Sequence, residues 1–182
     1  MVQLLLLCAM LFQAAPQAAK PVIDNDRVTV WDVNAPTTAQ PLDAVVVSFS
    51  GNAVFLPKGA TPKIDGRTMI VDLKDHPVPP IPNNSGYPLA FPRPGAKKIL
   101  ENERVIVWDV TWTQDVATPM HFHDKDALVV YLEDGQMRST TPDGKATVTP
   151  QTAGMVKFNA RDRIHTETLI SGKQHAIITE LK

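Results

Sequence analysis

The sequence predicts an all-β protein whose C-terminal part forms an antiparallel barrel or jelly roll. Nearly every segment after residue 100 is short, rich in β-branched residues and bounded by turn-forming residues. The dipeptides Asp134-Gly135 and Asp143-Gly144 are typical of two-residue hairpin turns. No segment after residue 19 has the periodicity of an amphipathic helix. These three observations favour strands that are joined mainly by hairpins.

Eight strands are predicted in this part of the chain. They cover residues 105–110, 120–123, 127–133, 136–140, 145–149, 155–159, 164–170 and 174–181. Short strands with regular turns between them are typical of a closed barrel or a jelly roll. Side chains two residues apart on a strand lie on the same face of the sheet. His121 and His123 therefore share a face, and His165 shares one with Glu167.

The first nineteen residues are predicted to be an export signal. An apolar core at 4–12 is followed by small residues at 13–19 and then by Lys20. This core is much shorter than the ~20 residues that span a bilayer, and it is typical of a cleaved signal peptide. The alternative is a buried N-terminal helix, because no basic residue precedes the core and no clean A-x-A cleavage site follows it.

Export would determine the compartment and the cysteine chemistry of the mature chain. Cys8 is the only cysteine, so cleavage after the signal removes every thiol and excludes disulfides and Cys-ligated zinc. We expect a periplasmic or secreted protein with no stable membrane anchor after cleavage. The net charge of −1 gives no electrostatic reason to expect nucleic acid as a partner.

An internal repeat divides the chain. Residues 24–33 reappear as residues 101–110 with seven of ten positions identical, and residues 43–47 resemble residues 126–130. Residues 37–42, which correspond to the region of the paired histidines, contain no His, Asp or Glu. Two copies at this spacing indicate a duplication in which the first copy is structural.

A proline-rich segment separates the two copies. Seven prolines between residues 77 and 94 are incompatible with a helix or an interior strand. The segment is either an extended spacer or, because Tyr87, Leu89 and Phe91 alternate within it, a strap along the barrel surface. The predicted organisation is a signal peptide at 1–19, a degenerate repeat at 20–76, a connector at 77–98 and a barrel at 99–182.

Three histidines are the candidate metal ligands. His121 and His123 lie on one face of a strand, roughly 6.6–6.8 Å apart at the backbone. The third is His165, forty-two residues after His123. Neutral imidazole is the commonest side-chain ligand for metals at neutral pH. No catalytic triad, phosphate loop or nucleotide fingerprint competes with this cluster.

The spacing of these residues resembles the two motifs of the cupin superfamily, G-x5-H-x-H-x3,4-E-x6-G and G-x5-P-x-G-x2-H-x3-N. His121 and His123 match the paired histidines, and Gly135 matches the closing glycine of the first motif. Gly154 matches the opening glycine of the second motif, and His165 matches its histidine. The resemblance covers residues 99–182 well and residues 22–75 weakly. It implies a cupin-type antiparallel jelly-roll barrel, or double-stranded β-helix.

The sequence departs from the motifs at several positions, above all at the position of the carboxylate ligand. Asp115, Ala160, Asp162 and Leu169 replace the first glycine, the proline, the second glycine and the asparagine. The glutamate position holds Leu128 on the longer spacing and Ala127 on the shorter one. The sequence therefore predicts a divergent cupin with a three-histidine site.

Such a site suits one divalent transition metal, Fe, Zn, Cu or Ni, and loss of the carboxylate disfavours Mn. We expect five residues to orient a metal ligand or contact a substrate: Asp124, Asp126, Glu167, Trp112 and Arg163. Arg161 is an alternative to Arg163 for binding a substrate carboxylate. A three-histidine iron site resembles that of thiol dioxygenases, so an enzyme would be an oxygenase or isomerase of cupin type.

The sequence leaves three kinds of function open. The first is a metal-dependent enzyme that acts on a small polar molecule. The second is a non-catalytic protein that binds a small ligand or the metal itself, and the third is a structural envelope protein with a vestigial site. A homodimer is compatible with the exposed edges of such a fold. Neither the substrate nor the reaction follows from fold class, since one barrel supports many chemistries.

Overall fold

A computed structural model describes residues 20–182, in which the regular structure is β-strand throughout. The predicted signal peptide at 1–19 lies outside the described residues. A search of residues 20–182 finds no helix that could span a membrane. The strands are β1 (Ile23–Asp24), β2 (Val28–Val33), β3 (Ala44–Ser48), β4 (Ala53–Leu56), β5 (Thr68–Leu73), β6 (Ala96–Glu101), β7 (Val105–Trp112), β8 (His121–His123), β9 (Asp126–Tyr131), β10 (Gly135–Thr140), β11 (Ala146–Gln151), β12 (Val156–Asn159), β13 (Arg163–Gly172) and β14 (Gln174–Leu181).

The strands form three sheets, and neighbouring strands within each sheet are antiparallel. The N-terminal sheet has the order β1-β2-β5-β3-β4. The C-terminal half contains a five-stranded sheet, β12-β9-β14-β7-β6, and a four-stranded sheet, β11-β10-β13-β8. The two C-terminal sheets enclose a cavity between them, which is the arrangement of a jelly roll. The prediction of an all-β jelly-roll barrel is confirmed.

The C-terminal five-stranded sheet is buried on both faces. One face packs through Val107, Leu128 and Ile177 against the N-terminal sheet in a common apolar core. The other face presents Trp108 and Val129 to the barrel interior. A sheet covered on both sides needs near-continuous apolar strands, which explains why all six residues of β9 are buried.

The N-terminal sheet has the strand order of the C-terminal five-stranded sheet. When β2, β5, β3 and β4 are matched with β7, β14, β9 and β12, both sheets follow one order, and β1 matches β6 at the edge. The cross-strand register also agrees, since Trp31 lies opposite Ile70 on β5 and Trp108 lies opposite Ile178 on β14. The resemblance between residues 24–33 and 101–110 therefore corresponds to equivalent strands.

The N-terminal half lacks a counterpart of the four-stranded sheet because its connections are shorter. In the C-terminal half, the connection from β7 to β9 contains β8, that from β9 to β12 contains β10 and β11, and that from β12 to β14 contains β13. The three equivalent N-terminal connections cover residues 34–43, 49–52 and 57–67, and none of them contains a strand. The strands that carry the histidines in one half are thus absent from the other.

The proline-rich segment runs along the barrel beside β8. The Ala90 N–H donates to the Phe122 carbonyl, and the Phe122 N–H donates to the Pro88 carbonyl. Phe91 is buried and stacks on Trp108 with ring centroids 4.8 Å apart. Of the two arrangements that the sequence left open, the structure adopts the strap along the barrel.

One strand was not expected. β6 begins at Ala96, inside the segment predicted to be connector. Its register against β7 shifts between Lys98 and Leu100, which marks a bulge. A bulge interrupts the alternation of apolar and polar residues, so the pattern that revealed the other strands is missing from β6.

Candidate metal site

The pairing of β8 with β13 brings the three histidines together. His121 lies directly opposite His165 in this antiparallel pair, and His123 lies opposite Arg163. Because residues two apart share a face, all three imidazoles point to the same side of the four-stranded sheet. His121, His123 and His165 are buried, with 1%, 7% and 8% of their surface exposed.

The three rings converge through their Nε2 atoms. The distance from Nε2 of His123 is 3.2 Å to Nε2 of His121 and 2.9 Å to Nε2 of His165. The ring centroids are 4.8–5.0 Å apart, and the ring planes are inclined at 64–68°. Metal–nitrogen bonds of ~2.0–2.1 Å with ordinary angles place neighbouring donor atoms about 2.9–3.4 Å apart. The cluster therefore fits a single ion held on one face by three nitrogens.

The opposite ring nitrogens of two histidines are held by hydrogen bonds. Nδ1 of His121 lies 2.8 Å from the Pro119 carbonyl oxygen, so this nitrogen carries the proton and the lone pair is on Nε2. Nδ1 of His165 lies 2.9 Å from Oγ of Ser139, a hydroxyl that leaves the lone pair on Nε2 when it accepts the Nδ1 proton. Such bonds orient ligand rings in metal sites.

Burial keeps the imidazoles neutral. Desolvation lowers the pKa of His121 from its usual 6.5, and the nearby Arg93 guanidinium lowers it further. Desolvation also lowers the pKa of His123 well below 6.5 and that of His165 to about 4. Only the neutral ring is a ligand, so these shifts favour metal binding at neutral pH.

Two guanidinium groups lie beside the histidines. Nη1 of Arg93 is 2.9 Å from Nε2 of His121, and Nη2 forms an ion pair of 3.0 Å with Glu167. Nη2 of Arg163 lies 3.4 Å from Nε2 of His165. Burial would raise the pKa of Glu167, but Arg93 and the other neighbouring positive groups outweigh it and lower that pKa. Glu167 is therefore an ionised partner of Arg93.

The carboxylates expected near the ligands have other partners. Asp124 accepts a 2.7 Å hydrogen bond from Lys125, and Asp126 pairs with Arg27. Among residues 20–182, the groups that bond to the Nδ1 atoms of His121 and His165 are the Pro119 carbonyl and Ser139 rather than Asp124, Asp126 or Glu167. Trp112, Arg163 and Glu167 line the cavity next to His123. Their functional roles remain predictions.

The two motif spacings place the glutamate position on opposite faces of β9. Ala127 lines the cavity beside His123, whereas Leu128 belongs to the core against the N-terminal sheet. The shorter motif spacing is therefore the one that points into the site, and it carries a methyl group in place of a carboxylate. Nε2 of His175 donates to Asp109 at 2.7 Å, and His76 is exposed.

Sequence reasoning missed Arg93 and Ser139. Arg93 lies between two prolines in the connector, and its only signal was a single charged residue two positions after the apolar Phe91. Ser139 is on β10 and lies opposite Glu167 of β13. Only the pairing of these two strands places Ser139 beside the histidines of β13 and β8. Both residues come from segments distant in sequence from the ligands they contact.

No family model matches the chain, and no curated protein matches it in sequence. A cupin domain from Bordetella pertussis Tohama I matches 50% of this chain and 97% of its own, with 25% identity and a TM-score of 0.43. A cupin 2 conserved barrel domain protein from Leptotrichia buccalis matches 93% of this chain and 92% of its own, with 11% identity and a TM-score of 0.48. The polyketide cyclase RemF from Streptomyces resistomycificus matches over 56% and 77% of the two chains, with 18% identity and a TM-score of 0.40.

Proposed function

We infer that this chain is a divergent cupin that binds one divalent transition metal through His121, His123 and His165 and uses that site on a small polar molecule. The observation that carries this proposal is the convergence of three neutral Nε2 atoms at 2.9 and 3.2 Å from one to the next. The ligand set suits Fe, Zn, Cu or Ni.

The residues around the cluster support a site with open positions. Three protein ligands on one face leave room for water or a substrate, and a bound ion would supply Lewis acidity or redox chemistry. Arg93 and Glu167 are ion-paired beside His121, so a charged pair borders the open side. Tyr131 lines the cavity next to His123, and burial raises the pKa of its hydroxyl, which keeps the hydroxyl protonated.

The N-terminal sheet has a structural role in this proposal. We regard it as the product of a duplication whose three connections are too short to carry the histidine-bearing strands. Its contribution is the apolar face formed by Val30, Val45 and Val71, which covers the C-terminal five-stranded sheet. The apolar core at 4–12 further leads us to propose export to the periplasm or the exterior.

A second candidate is a non-catalytic ligand-binding or envelope protein with a vestigial site. The contact that favours it is the 2.9 Å approach of Arg93 Nη1 to His121 Nε2. A guanidinium can only donate, so in this arrangement it takes up a lone pair that a metal would need. A functional metal site requires that the ion displace Arg93 from His121.

Titration of the purified, metal-free protein with Co²⁺ and Zn²⁺ tests the proposal. We expect one equivalent of either ion to bind, with visible absorption bands for cobalt, and His123→Ala to abolish binding. His175→Ala is the matched control, because His175 is bonded to Asp109 outside the cluster. Failure of the unmodified protein to bind either ion, with the fold intact by circular dichroism, would contradict the metal site and favour the vestigial one.

A further inference from the structure

A small cavity between the two C-terminal sheets adjoins the histidine cluster. Its polar lining comes from seven residues: Arg93, Trp112, His123, Tyr131, Asn159, Arg163 and Glu167. Its apolar wall includes Ala127, where the family motif has a carboxylate. The acceptors Glu167 and Asn159 are already bonded to Arg93 and Arg163, so the remaining N–H groups of the lining compete for few acceptors.

Three N–H groups of this lining have no acceptor among residues 20–182. They are Nε of Arg93, Nε of Arg163 and the indole Nε1 of Trp112, and all three are buried. The Arg93 side chain is itself only 4% exposed. Buried donors nearly always have a partner, so three orphaned donors around one cavity indicate a ligand that offers acceptors.

The charge of the lining points to an anion. Two guanidinium groups, those of Arg93 and Arg163, face one carboxylate, that of Glu167, which leaves the cavity with a net positive charge. A divalent ion on the histidines would add two more positive charges. Burying such an excess without a counter-charge is unfavourable, and a carboxylate ligand would supply it.

A second cleft reaches the same guanidinium from the surface. It is lined by Arg93, His121 and apolar residues. The apolar residues are Pro88, Leu89, Pro92, Pro94 and Pro119. Because Arg93 and His121 lie at its polar end, the cleft is suited to the hydrocarbon part of a ligand whose charged end is at the metal site.

We propose that the site binds a small organic carboxylate, with the carboxylate held by Arg93 and Arg163 beside the metal and the organic body in the proline-lined cleft. This inference rests on the proposed metal site. Guanidinium groups bind carboxylates through two parallel hydrogen bonds, which gives Arg93 a reason to lie at the junction of cavity and cleft. A carboxylate that binds Arg93 in place of His121 also leaves Nε2 of His121 free to bind the metal.

Isothermal titration with benzoate tests this proposal, and benzamide serves as the uncharged probe of the same shape. We expect the zinc-loaded protein to bind benzoate and not benzamide. Arg93→Gln should weaken benzoate binding about tenfold or more, because it removes a buried charge partner. Trp112→Phe removes only the indole N–H and should also weaken benzoate, while Arg138→Gln, an exposed arginine, should leave binding unchanged.

The zinc content of the same samples separates the two proposals. Zinc bound by the histidines together with no benzoate binding, or with benzoate binding that Arg93→Gln and Trp112→Phe leave unchanged from the unmodified protein, overturns the carboxylate site and leaves the metal site standing. If zinc does not bind, the proposed function fails, and titration of the metal-free protein decides the anion site alone. Arg93-dependent benzoate binding there supports the carboxylate pocket, and its absence overturns it.

Discussion

Arg27 of the N-terminal half forms an ion pair with Asp126 of the C-terminal half. The internal repeat relates this pair to the ion pair of Arg104 with Asp43, in which the C-terminal half supplies the arginine and the N-terminal half supplies the carboxylate. Arg27 also donates to the Lys182 carbonyl, and Arg104 donates to the Lys74 carbonyl. Each half thus contributes an arginine that contacts the carboxylate of the other half. Such reciprocity is the property of a two-fold interface between copies, found here within one chain.

The two pairs differ in burial, which leads to a prediction about stability. The Arg27 and Asp126 side chains are 9% and 11% exposed, whereas those of Arg104 and Asp43 are 31% and 27% exposed. Arg27→Met leaves a buried carboxylate without its partner and should lower the free energy of unfolding by ~3–5 kcal/mol. Arg104→Met should cost only about 1 kcal/mol, since water screens that pair.

Urea unfolding of the two single variants measures this difference. Arg27→Met combined with Asp126→Leu removes both charges, so we expect it to recover much of the loss. Equal losses in the two single variants would mean that the symmetry of the sequence, rather than burial, determines the contribution of each pair.

A tryptophan–carboxylate hydrogen bond is repeated in the two halves as well. Nε1 of Trp108 donates to Glu180 at 2.8 Å, and Nε1 of Trp31 donates to Asp72 at 2.7 Å. Burial raises the pKa of both carboxyl groups, and the hydrogen bonds only partly offset it. Each half therefore contains one buried carboxyl group that is protonated more readily in the folded than in the unfolded chain.

This shift predicts how stability depends on pH. The folded protein holds the Glu180 proton above the ordinary pKa of 4.5, so the free energy of unfolding falls as pH rises from 4.5 through the raised pKa. Glu180→Gln keeps an acceptor for Trp108 but cannot ionise, and it should be more stable than the unmodified protein at pH 7. Thermal melts at pH 4.5 and pH 7 test this, and a variant less stable than the unmodified protein at pH 7 would argue against it.

The fold followed from sequence wherever alternation and turn residues were clear. The Asp-Gly turns and the β-branched runs predicted strands β7 to β14 to within a few residues. β6 was not predicted, because the bulge between Lys98 and Leu100 interrupts its alternation of apolar and polar residues. The packing of the N-terminal sheet on the barrel could not be predicted, because apolar periodicity indicates that a face is buried but not which element covers it.

The ligands were easier to predict than their surroundings. Strand parity and motif spacing identified His121, His123 and His165, which the structure brings together. Arg93 and Ser139 reach the cluster from other segments, and no local pattern encodes that contact. Only side-chain direction on β9 distinguishes the two glutamate spacings, since Ala127 faces the site and Leu128 faces the N-terminal sheet.

The contact between Ser139 and His165 leads to a prediction about metal affinity. Ser139→Ala removes the 2.9 Å bond that orients His165, so zinc affinity should fall roughly 10–100-fold while the fold is retained. Thr147→Ala is the matched control, because Thr147 lies opposite Ser139 on β11 and is exposed. Competition with a zinc chelator measures both variants, and equal affinities would show that Ser139 does not position the ligand.

The lowered histidine pKa values predict the pH range of metal release. Protons compete with the metal only below the folded pKa, which burial lowers to about 4 for His165. Zinc should therefore remain bound at pH 6.5, the ordinary pKa, and be lost towards pH 4. The metal-free protein should lose stability over the same fall in pH, because the unfolded histidines take up protons that the buried ones do not. Half-release at or above pH 6.5 in a dialysis series would count against buried ligands.

Elemental analysis of the protein isolated from its own compartment tests the central claim most directly. We expect about one equivalent of a single transition metal per chain, lost in both His121→Ala and His165→Ala and retained in His175→Ala. Its identity would direct the search for a reaction, with iron or copper favouring oxygen chemistry. A folded protein that contains no metal and takes none up on reconstitution would contradict the claim and leave a barrel whose histidines no longer bind an ion.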